Sequence, residues 1–241
     1  MKADRQAIKA RIPAPIRGTV RDVYAHFRRG YYPHRSWSQT GEDMLLRDLL
    51  PSSADGFYVD VGARHPRFGS NTHALHQRGW RGINIDARPG SMRSFRRARP
   101  RDVNLEVAVG SVPGEATFYV FTDDELSSLD RGWADAKVAE GHRLERTVTT
   151  RVRTLADIHR EHDVPARYEL LTVDCEGRDA DVLASNDWDA FRPRFVVVEC
   201  SDGDLDAALD SEAVTLLRLN GYTPTAATRL SVVLRDRGEH R

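Results

Sequence analysis

Five short apolar runs that alternate with helix-like segments constrain the fold of this chain more than any other feature. The runs are FYVDVGA, GINIDA, NLEVAVG, YELLTVDCEG and RFVVVECS, which start at residues 57, 82, 104, 168 and 194. Between them stand segments with helix start and stop signals, among them NTHALHQRG, GSMRSFRRAR and RDADVLASND. This alternation predicts an α/β fold with a doubly wound, mostly parallel sheet and right-handed crossovers.

The remaining segments extend this prediction toward both ends of the chain. SQTGEDMLLRDLLP predicts a helix capped by Thr40, EATFYVF predicts a strand, and the Ser/Asp-rich residues 126–133 predict a loop. LDAALDSEAVTLLRLNG predicts one helix, and YTPTAATRL with SVVLRD predicts a C-terminal antiparallel pair. We therefore predict a basic, helical N-terminal extension over residues 1–37 and a single domain over residues 38–241.

Charge and composition argue against several classes of protein. Lys and Arg number 36, as do Asp and Glu, so no net field favours nucleic acid or a membrane surface, and we expect neither as a partner. No apolar run reaches the ~18 residues that a membrane-spanning helix needs. The two cysteines, Cys175 and Cys200, both stand in apolar runs, which fits a reducing compartment. These features predict a cytoplasmic protein.

Carboxylates end most of the predicted strands. Four of the five runs finish in or beside an acid: Asp60, Asp86, Asp174 with Glu176, and Glu199 with Asp202. In an open α/β sheet, ligands bind beyond the carboxyl ends of the strands, where the strand order reverses. Because gathered carboxylates repel one another, packing alone does not account for them. We expect a polyhydroxylated or cationic ligand at this edge.

The spacing after the first run narrows the choice of ligand. Gly62 allows a ligand to approach the backbone, and Ser70 or Asn71 can cap the next helix. Asp86 follows Gly62 at a distance along the chain close to the ~20 residues at which an acid at a strand end reaches ribose hydroxyls. A dinucleotide needs a G-x-G-x-x-G turn, which this loop lacks. The residues therefore favour S-adenosylmethionine over NAD, although an NAD-dependent or nucleotide-sugar-binding oxidoreductase stays open at this point.

Several separated motifs resemble the FkbM-type S-adenosylmethionine-dependent methyltransferases. SQTGEDMLL is similar to the N-terminal segment of that family, and VDVGARHPRFGSNTHALHQRGWRGINIDARPGSM to a branch with an extended first loop. LTVDCEGRDADVLASNDW and RPRFVVVEC resemble its fourth- and fifth-strand motifs. The resemblance runs from about residue 38 to residue 200. It implies a class I (Rossmann-like) methyltransferase fold and methyl transfer to a hydroxyl of a sugar, a glycan or a polyketide-like product.

The resemblance also implies roles for individual residues. Those expected to hold the cofactor are Asp60, Gly62 and Ala63 at its methionine side, Asn71 at the next helix, Asp86 and Ala87 at the ribose, Glu106 and Ala108 by the adenine, and Asp174. Asp174 and Glu176 would face the reacting centre. Arg64 stands where a neutral residue is frequent in the family, and it could either bind a carboxylate or remain solvated.

Methyl transfer to an alcohol requires help with the loss of a proton. Asp174, Glu176 and His65 are the candidate bases. A hard divalent cation such as Mg²⁺ could instead be held by Asp174 with Glu199 or Asp202, but we do not expect a metal requirement. The remaining alternative is a non-catalytic module that binds a partner or an anionic glycan through the basic N-terminal leader and the basic residues 93–101. The expected partner is a small-molecule or glycan acceptor, and a homodimer stays possible.

Overall fold

The computed structural model describes residues 36–200 and 204–240. The predicted helical extension over residues 1–37 therefore falls almost entirely outside the described residues, and the domain boundary at residue 38 stays a prediction. Residues 36–241 group into one compact unit. No helix in the described part of the chain combines the length and apolar character needed to cross a bilayer.

Strands and helices alternate along the described chain as the sequence predicts. The strands are β1 (Phe57–Val61), β2 (Arg81–Ile85), β3 (Val103–Leu105), β4 (Ala108–Val109), β5 (Gly114–Phe121), β6 (Leu144–Arg153), β7 (Arg167–Val173), β8 (Arg192–Glu199), β9 (Tyr222–Ala227) and β10 (Ser231–Asp236). The α-helices are α1 (Glu42–Leu49), α2 (His73–Gln77), α3 (Met92–Ala98), α4 (Arg131–Ala139), α5 (Leu155–Glu161), α6 (Asp179–Ala184), α7 (Leu205–Leu209) and α8 (Glu212–Leu219).

The main sheet has the predicted doubly wound topology. Among the described residues it contains seven strands in the order β3-β2-β1-β7-β8-β10-β9. All neighbours pair in parallel except β10, which runs antiparallel to both β8 and β9. The mostly parallel sheet and the C-terminal antiparallel pair are thereby confirmed. Strand order reverses between β1 and β7, which places the expected ligand crevice at the carboxyl ends of these two strands.

Both faces of the sheet are buried, as expected for strands that are almost wholly apolar. Along β8, Val196 and Val198 belong to one core cluster, whereas Phe195 and Val197 belong to the opposite one. This division follows from the two-residue period of a strand. The first cluster packs against α5, α6 and α8, and the second against α1, α2 and Trp80.

The predicted third strand is wrong in one respect, because NLEVAVG is divided between two sheets. Leu105 ends β3 and pairs with Ile85 in the main sheet, whereas Ala108 pairs with Val152 in a second sheet of order β4-β6-β5. The chain leaves the main sheet at the exposed Glu106. β6 lies some 40 residues further on, so local sequence does not reveal this pairing.

Three other local predictions also need correction. The segment 126–133, expected to be a loop, follows a 3₁₀ turn over Asp124–Leu126 and contains the start of α4, which is capped by the side chain of Asp130 on the N–H of Trp133. The single C-terminal helix is two helices, because Ser211 caps α8 anew. Thr40 does not cap α1; Gly41 holds that position with φ 94°, and the Thr40 hydroxyl contacts Glu42 instead.

A buried ion pair fastens the C-terminal strands to the sheet. The guanidinium of Arg192 on β8 donates to both carboxylate oxygens of Asp236, at 2.6 and 3.2 Å, and to the carbonyl of Asn220. Burial alone would raise the pKa of Asp236, but hydrogen bonds from Arg192 and from the N–H of Gly238 outweigh burial and hold it below its usual value. The C-terminal pair therefore depends on Asp236 being ionised.

Candidate active site

A cavity opens where the strand order reverses, at the carboxyl ends of β1, β2 and β7. It has about 830 Å³ of empty space, including its open mouth. Six of the predicted site residues line it: Gly62, Asp86, Ala87, Ala108, Asp174 and Glu176. The apolar side chains of Ile85, Val107, Val109 and Phe118 line it as well. We call it the first cavity. Its lining joins an apolar wall to a carboxylate-rich end.

Gly62 is required at the start of the first loop for a reason that the sequence does not show. Its φ is 82°, in the region that favours glycine. A Cβ at this position would lie 1.7 Å from the backbone carbonyl oxygen of Asp174. The space that a Cβ would need is thus filled by Asp174, the residue that follows β7, although the backbone of Gly62 still lines the first cavity. The glycine allows β1 and β7 to deliver their loops side by side.

Asp86 is held rigidly at the wall of the first cavity. One of its carboxylate oxygens accepts the backbone N–H of Arg64 and the other that of Arg88, both at 2.8 Å. Burial raises the pKa of Asp86, while the two backbone hydrogen bonds act in the opposite direction. The carboxylate therefore has a fixed orientation, and its remaining lone pairs can accept hydroxyl groups from a ligand.

Three carboxyl groups meet beside Asp174, and two of them, Asp174 and Glu176, line the first cavity. One oxygen each from Asp174, Glu176 and Glu199 lie within 4.8 Å of one another. Burial and the neighbouring charges of Asp174 and Glu176 raise the pKa of Glu199 to about 11. Burial and Asp174 also raise the pKa of Glu176 to about 8. At neutral pH Glu199 therefore holds a proton, and a cation placed here would be stabilised by the cluster.

The same cluster has the ligand chemistry of a hard cation. Carboxylate oxygens without nitrogen or sulfur suit Mg²⁺ or Mn²⁺ rather than zinc. Asp174 and Glu199 are brought together as the sequence-based alternative requires, with Glu176 as a third group. Asp202, the other acid named in that alternative, lies outside the described residues.

A second, smaller cavity of about 300 Å³ adjoins the first. Its polar lining residues are Gln39, Glu42, Asn71, Asp174, Glu199 and Ser231, over a floor that includes Val173, Val197 and Leu230. Three residues line both cavities: Gln39, Gly69 and Asp174. A group transferred from one cavity to the other has to pass this shared border.

Gln39 is a site residue that sequence reasoning missed. The carboxylate of Asp43 accepts hydrogen bonds from the Ser36 hydroxyl, the Trp37 N–H and the Ser38 hydroxyl, at 2.7, 2.8 and 3.0 Å. The N–H of Ser70 donates to the Trp37 carbonyl at 2.9 Å. These contacts hold residues 36–41 across the crevice and bring Gln39 to the border of the two cavities. Gln39 belongs to the SQTGED motif, whose helix-start and family signals do not indicate that it reaches a cavity.

Five predicted site residues lie elsewhere. The carboxylate of Asp60 is buried and accepts the hydroxyl of Thr72 at 2.6 Å, and Ala63 packs against Met92 and Phe95. Glu106 is exposed, so that Val107 and Ala108 line the cavity in its place. Asp60, Ala63 and Glu106 thus line neither the first nor the second cavity.

Asn71 and His65 also differ from the expectation. Asn71 lines the second cavity rather than the first, and its amide donates to the Thr172 hydroxyl at 3.1 Å. The N-cap position of α2 is held by Thr72 and not by Asn71 or Ser70. His65 lines neither cavity. Its Nδ1 accepts the backbone N–H groups of Arg67 and Phe68, both at 3.1 Å. Burial and Arg64 lower the pKa of His65. Its position gives it a role in shaping the loop, whereas Asp174 lines both cavities.

Residues 123–129, which we call the cover segment, close one side of the first cavity. Asp124 pairs with Arg88 at 2.6 Å, and the Arg64 guanidinium contacts Glu125 closely. The Ser128 hydroxyl donates to the backbone carbonyl of Glu176 at 2.9 Å. The cover segment is therefore tied both to the loop after β1 and to the loop after β7.

A buried arginine supports the first loop from behind. Arg99 is fully buried, although it stands within the basic residues 93–101. Its guanidinium makes six hydrogen bonds, to the hydroxyls of Tyr58, Ser70 and Thr72, the side-chain oxygen of Asn84 and, twice, the carbonyl of Pro66. The loop that carries Gly69 and Asn71 is thereby anchored to β1 and β2.

The strand order and the position of the cavities define a class I methyltransferase fold. The family model described as "Methyltransferase FkbM domain" matches residues 60–224. The chain belongs to the FkbM methyltransferase family, which confirms the resemblance seen in the sequence motifs. No curated protein sequence matches it significantly.

Solved structures with a related backbone include three methyltransferases. The TehB-like SAM-dependent methyltransferase from Corynebacterium glutamicum has 11% identity and a TM-score of 0.42, with 94% of this chain and 100% of that chain covered. The Burkholderia thailandensis 1,6-didemethyltoxoflavin-N1-methyltransferase has 14% identity and a TM-score of 0.44, with 93% of this chain and 90% of that chain covered. An O-methyltransferase from Bacillus cereus in complex with SAH has 9% identity and a TM-score of 0.37, with 97% of this chain and 96% of that chain covered.

Proposed function

We propose that this protein is an S-adenosylmethionine-dependent O-methyltransferase that methylates a hydroxyl of a sugar, a glycan or a polyketide-like natural product. The observation that carries the proposal is the pair of adjoining cavities with Asp174 at their border. The first cavity has the carboxylate and apolar side chains that an adenosyl ligand with a positive charge requires. The other is lined by amide, hydroxyl and carboxyl groups, which suit an acceptor rich in hydroxyls.

The residues of the first cavity fit the cofactor. Asp86 would hold the ribose hydroxyls, and the apolar side chains of Ile85, Val107 and Phe118 would flank the adenine. Asp174 and Glu176 would offset the positive charge at the methionine end. When bound, S-adenosylmethionine supplies a methyl group already activated for transfer by its sulfonium.

Asp174 is the residue placed to take the proton of the acceptor hydroxyl. Glu199 keeps its own proton, so Asp174 carries the negative charge of this pair. Burial raises the pKa of Asp174, which makes its carboxylate a better base than an exposed one. Gln39 and Asn71 would orient the acceptor, and the cover segment would exclude water from the first cavity.

Calorimetric titration of the protein with S-adenosylmethionine, S-adenosylhomocysteine (SAH) and NAD tests the cofactor. We expect micromolar dissociation constants for the two adenosyl-sulfur ligands, a free energy of about −8 kcal/mol, and no binding of NAD. Asp86→Ala should weaken both, whereas Asp135→Ala, at an exposed acid on α4, should leave them unchanged. Preference for NAD, or no binding of either sulfur ligand, would refute the proposal.

Acceptor class is tested by measuring SAH formation with panels of sugars, glycans, polyketide-like alcohols and amines. Turnover with hydroxyl compounds and not with amines supports O-methyl transfer. Asp174→Asn keeps the shape of the side chain but cannot take a proton, so it should abolish turnover while SAH still binds. Turnover restricted to amines would overturn the O-methyl assignment and leave the cofactor assignment intact.

A further inference from the structure

Arg64 occupies an unusual position on the wall of the first cavity. Its backbone has φ 47°, uncommon for a residue with a side chain, and its N–H is bonded to Asp86. The guanidinium lies over Gly69, where a Cβ would come 2.2 Å from Nη2. Gly69 lies at the border of both cavities. The backbone and the facing glycine thus direct a positive charge to the end of the cavity that faces the acceptor side.

A carboxylate already sits on this guanidinium. Glu125 of the cover segment contacts Arg64 closely, and Asp124 lies 3.8 Å away. Arg64 and Glu125 both line the first cavity, near Asp174. The Arg64 and Glu125 side chains are, respectively, 24% and 44% exposed, so the pair faces the cavity space rather than the protein core. A fixed positive and a fixed negative group side by side are complementary to a zwitterion.

We propose that Arg64 and Glu125 form a binding site for the α-amino-acid end of S-adenosylmethionine, with Arg64 receiving the carboxylate and Glu125 the ammonium group. The inference rests on the proposed function, since it assigns one end of the same cofactor. On binding, the amino acid enters between two groups that now contact each other, so each exchanges one charged partner for another and neither is left unpaired.

Two other roles for Arg64 make different predictions. If Arg64 only fastens the cover segment through Glu125, its loss opens the whole cavity and weakens every adenosyl ligand alike. If Arg64 instead receives a carboxylate of the acceptor, its loss leaves cofactor affinity unchanged. Ligands that differ only at the amino-acid end therefore separate the three roles.

The experiment is calorimetric titration with three probes: SAH, decarboxylated SAH, which retains the amine, and 5′-methylthioadenosine, which lacks both groups. Arg64→Ala should weaken SAH about tenfold and leave the other two unchanged. Glu125→Gln should weaken SAH and decarboxylated SAH by several-fold and leave methylthioadenosine unchanged. Arg67→Ala, at an exposed arginine of the same loop, should affect none of the probes.

Unchanged methylthioadenosine binding also shows that each variant is folded. The proposal is overturned if Arg64→Ala weakens all three probes equally, or if it leaves SAH unchanged. It is also overturned if the wild-type protein binds SAH and methylthioadenosine with equal affinity, a result that leaves the proposed function standing. Only a wild-type protein that binds none of the three would remove the cofactor assignment together with this site.

Discussion

Arg99→Lys tests whether the buried guanidinium is what holds the first loop in place. The substitution keeps the positive charge and most of the length of the side chain. It removes the planar fork that reaches five acceptors at once. If the loop depends on that fork, the variant loses both stability and cofactor affinity.

The size of the effect follows from the contacts. Arg99 makes six hydrogen bonds, and an ammonium group has three donors, so at least three are lost. Each is worth about 0.5–1.5 kcal/mol, and buried acceptors left without partners add to the cost. We expect the free energy of unfolding to fall by about 3 kcal/mol, a large part of the 5–15 kcal/mol typical of a folded domain.

Urea unfolding measures this difference directly. The midpoint should fall at an unchanged slope, because the surface exposed on unfolding stays the same. SAH affinity should fall as well, since the loop that carries Gly69 loses its anchor. Arg97→Lys, at an exposed arginine of α3, serves as the matched control and should change neither. A loss below about 0.5 kcal/mol for Arg99→Lys would refute the argument, because it would mean that the fork is dispensable.

Three further predictions concern the sheet and the acidic cluster. Asp236→Asn should lower stability at pH 7 by about 3 kcal/mol. Because Arg192 holds the pKa of Asp236 below its usual value despite burial, the difference from wild type should begin to shrink as the pH falls through about 4 and should vanish only below the lowered pKa of the folded state. A pH-independent difference in urea titrations would contradict this. Gly62→Ala should lower the free energy of unfolding by about 3 kcal/mol because its Cβ would clash with Asp174. Gly177 has φ 87° and open space around it, so Gly177→Ala should lower it by only about 1–2 kcal/mol. Equal losses of stability in the two variants would show that the clash at Gly62 does not matter. A cation beside Glu176 lowers the raised pKa of its carboxyl group, so S-adenosylmethionine should release more protons than SAH on binding at pH 7. Calorimetry in buffers of different ionisation enthalpy measures this release. Equal release by the two ligands would mean that the sulfonium does not lie beside Glu176.

Much of the fold could be predicted because its signals are local. The apolar runs and the helix signals between them indicated the strand–helix alternation, and the acids at the strand ends indicated the cavity edge. Asp86 and Asp174 were predicted in this way, since the end of a strand is visible in the sequence. The division of NLEVAVG was not, because it depends on pairing with β6, a strand about 40 residues away.

Side-chain direction was the other limit. In the sequence, Arg99 is one more residue of the basic segment 93–101, and only the packed structure shows that it points inward while Arg96 and Arg97 stay exposed. His65 reads as a base, but its ring is used by its own loop. Such assignments depend on which neighbours a folded chain supplies, and a linear pattern does not contain them.

The two cavities draw on different lengths of the chain, and this has a consequence for biosynthesis. The first cavity uses residues between Gln39 and Arg178, so its lining is complete well before the chain ends. The second also needs Glu199, Leu230 and Ser231, and the Glu42 carboxylate at its wall accepts the hydroxyl of Thr228 at 2.6 Å. A chain emerging from the ribosome therefore contains every lining residue of the first cavity before it can close the second. If the second cavity receives the acceptor as proposed, variation in strands β9 and β10 would change the choice of acceptor without altering any residue of the first cavity.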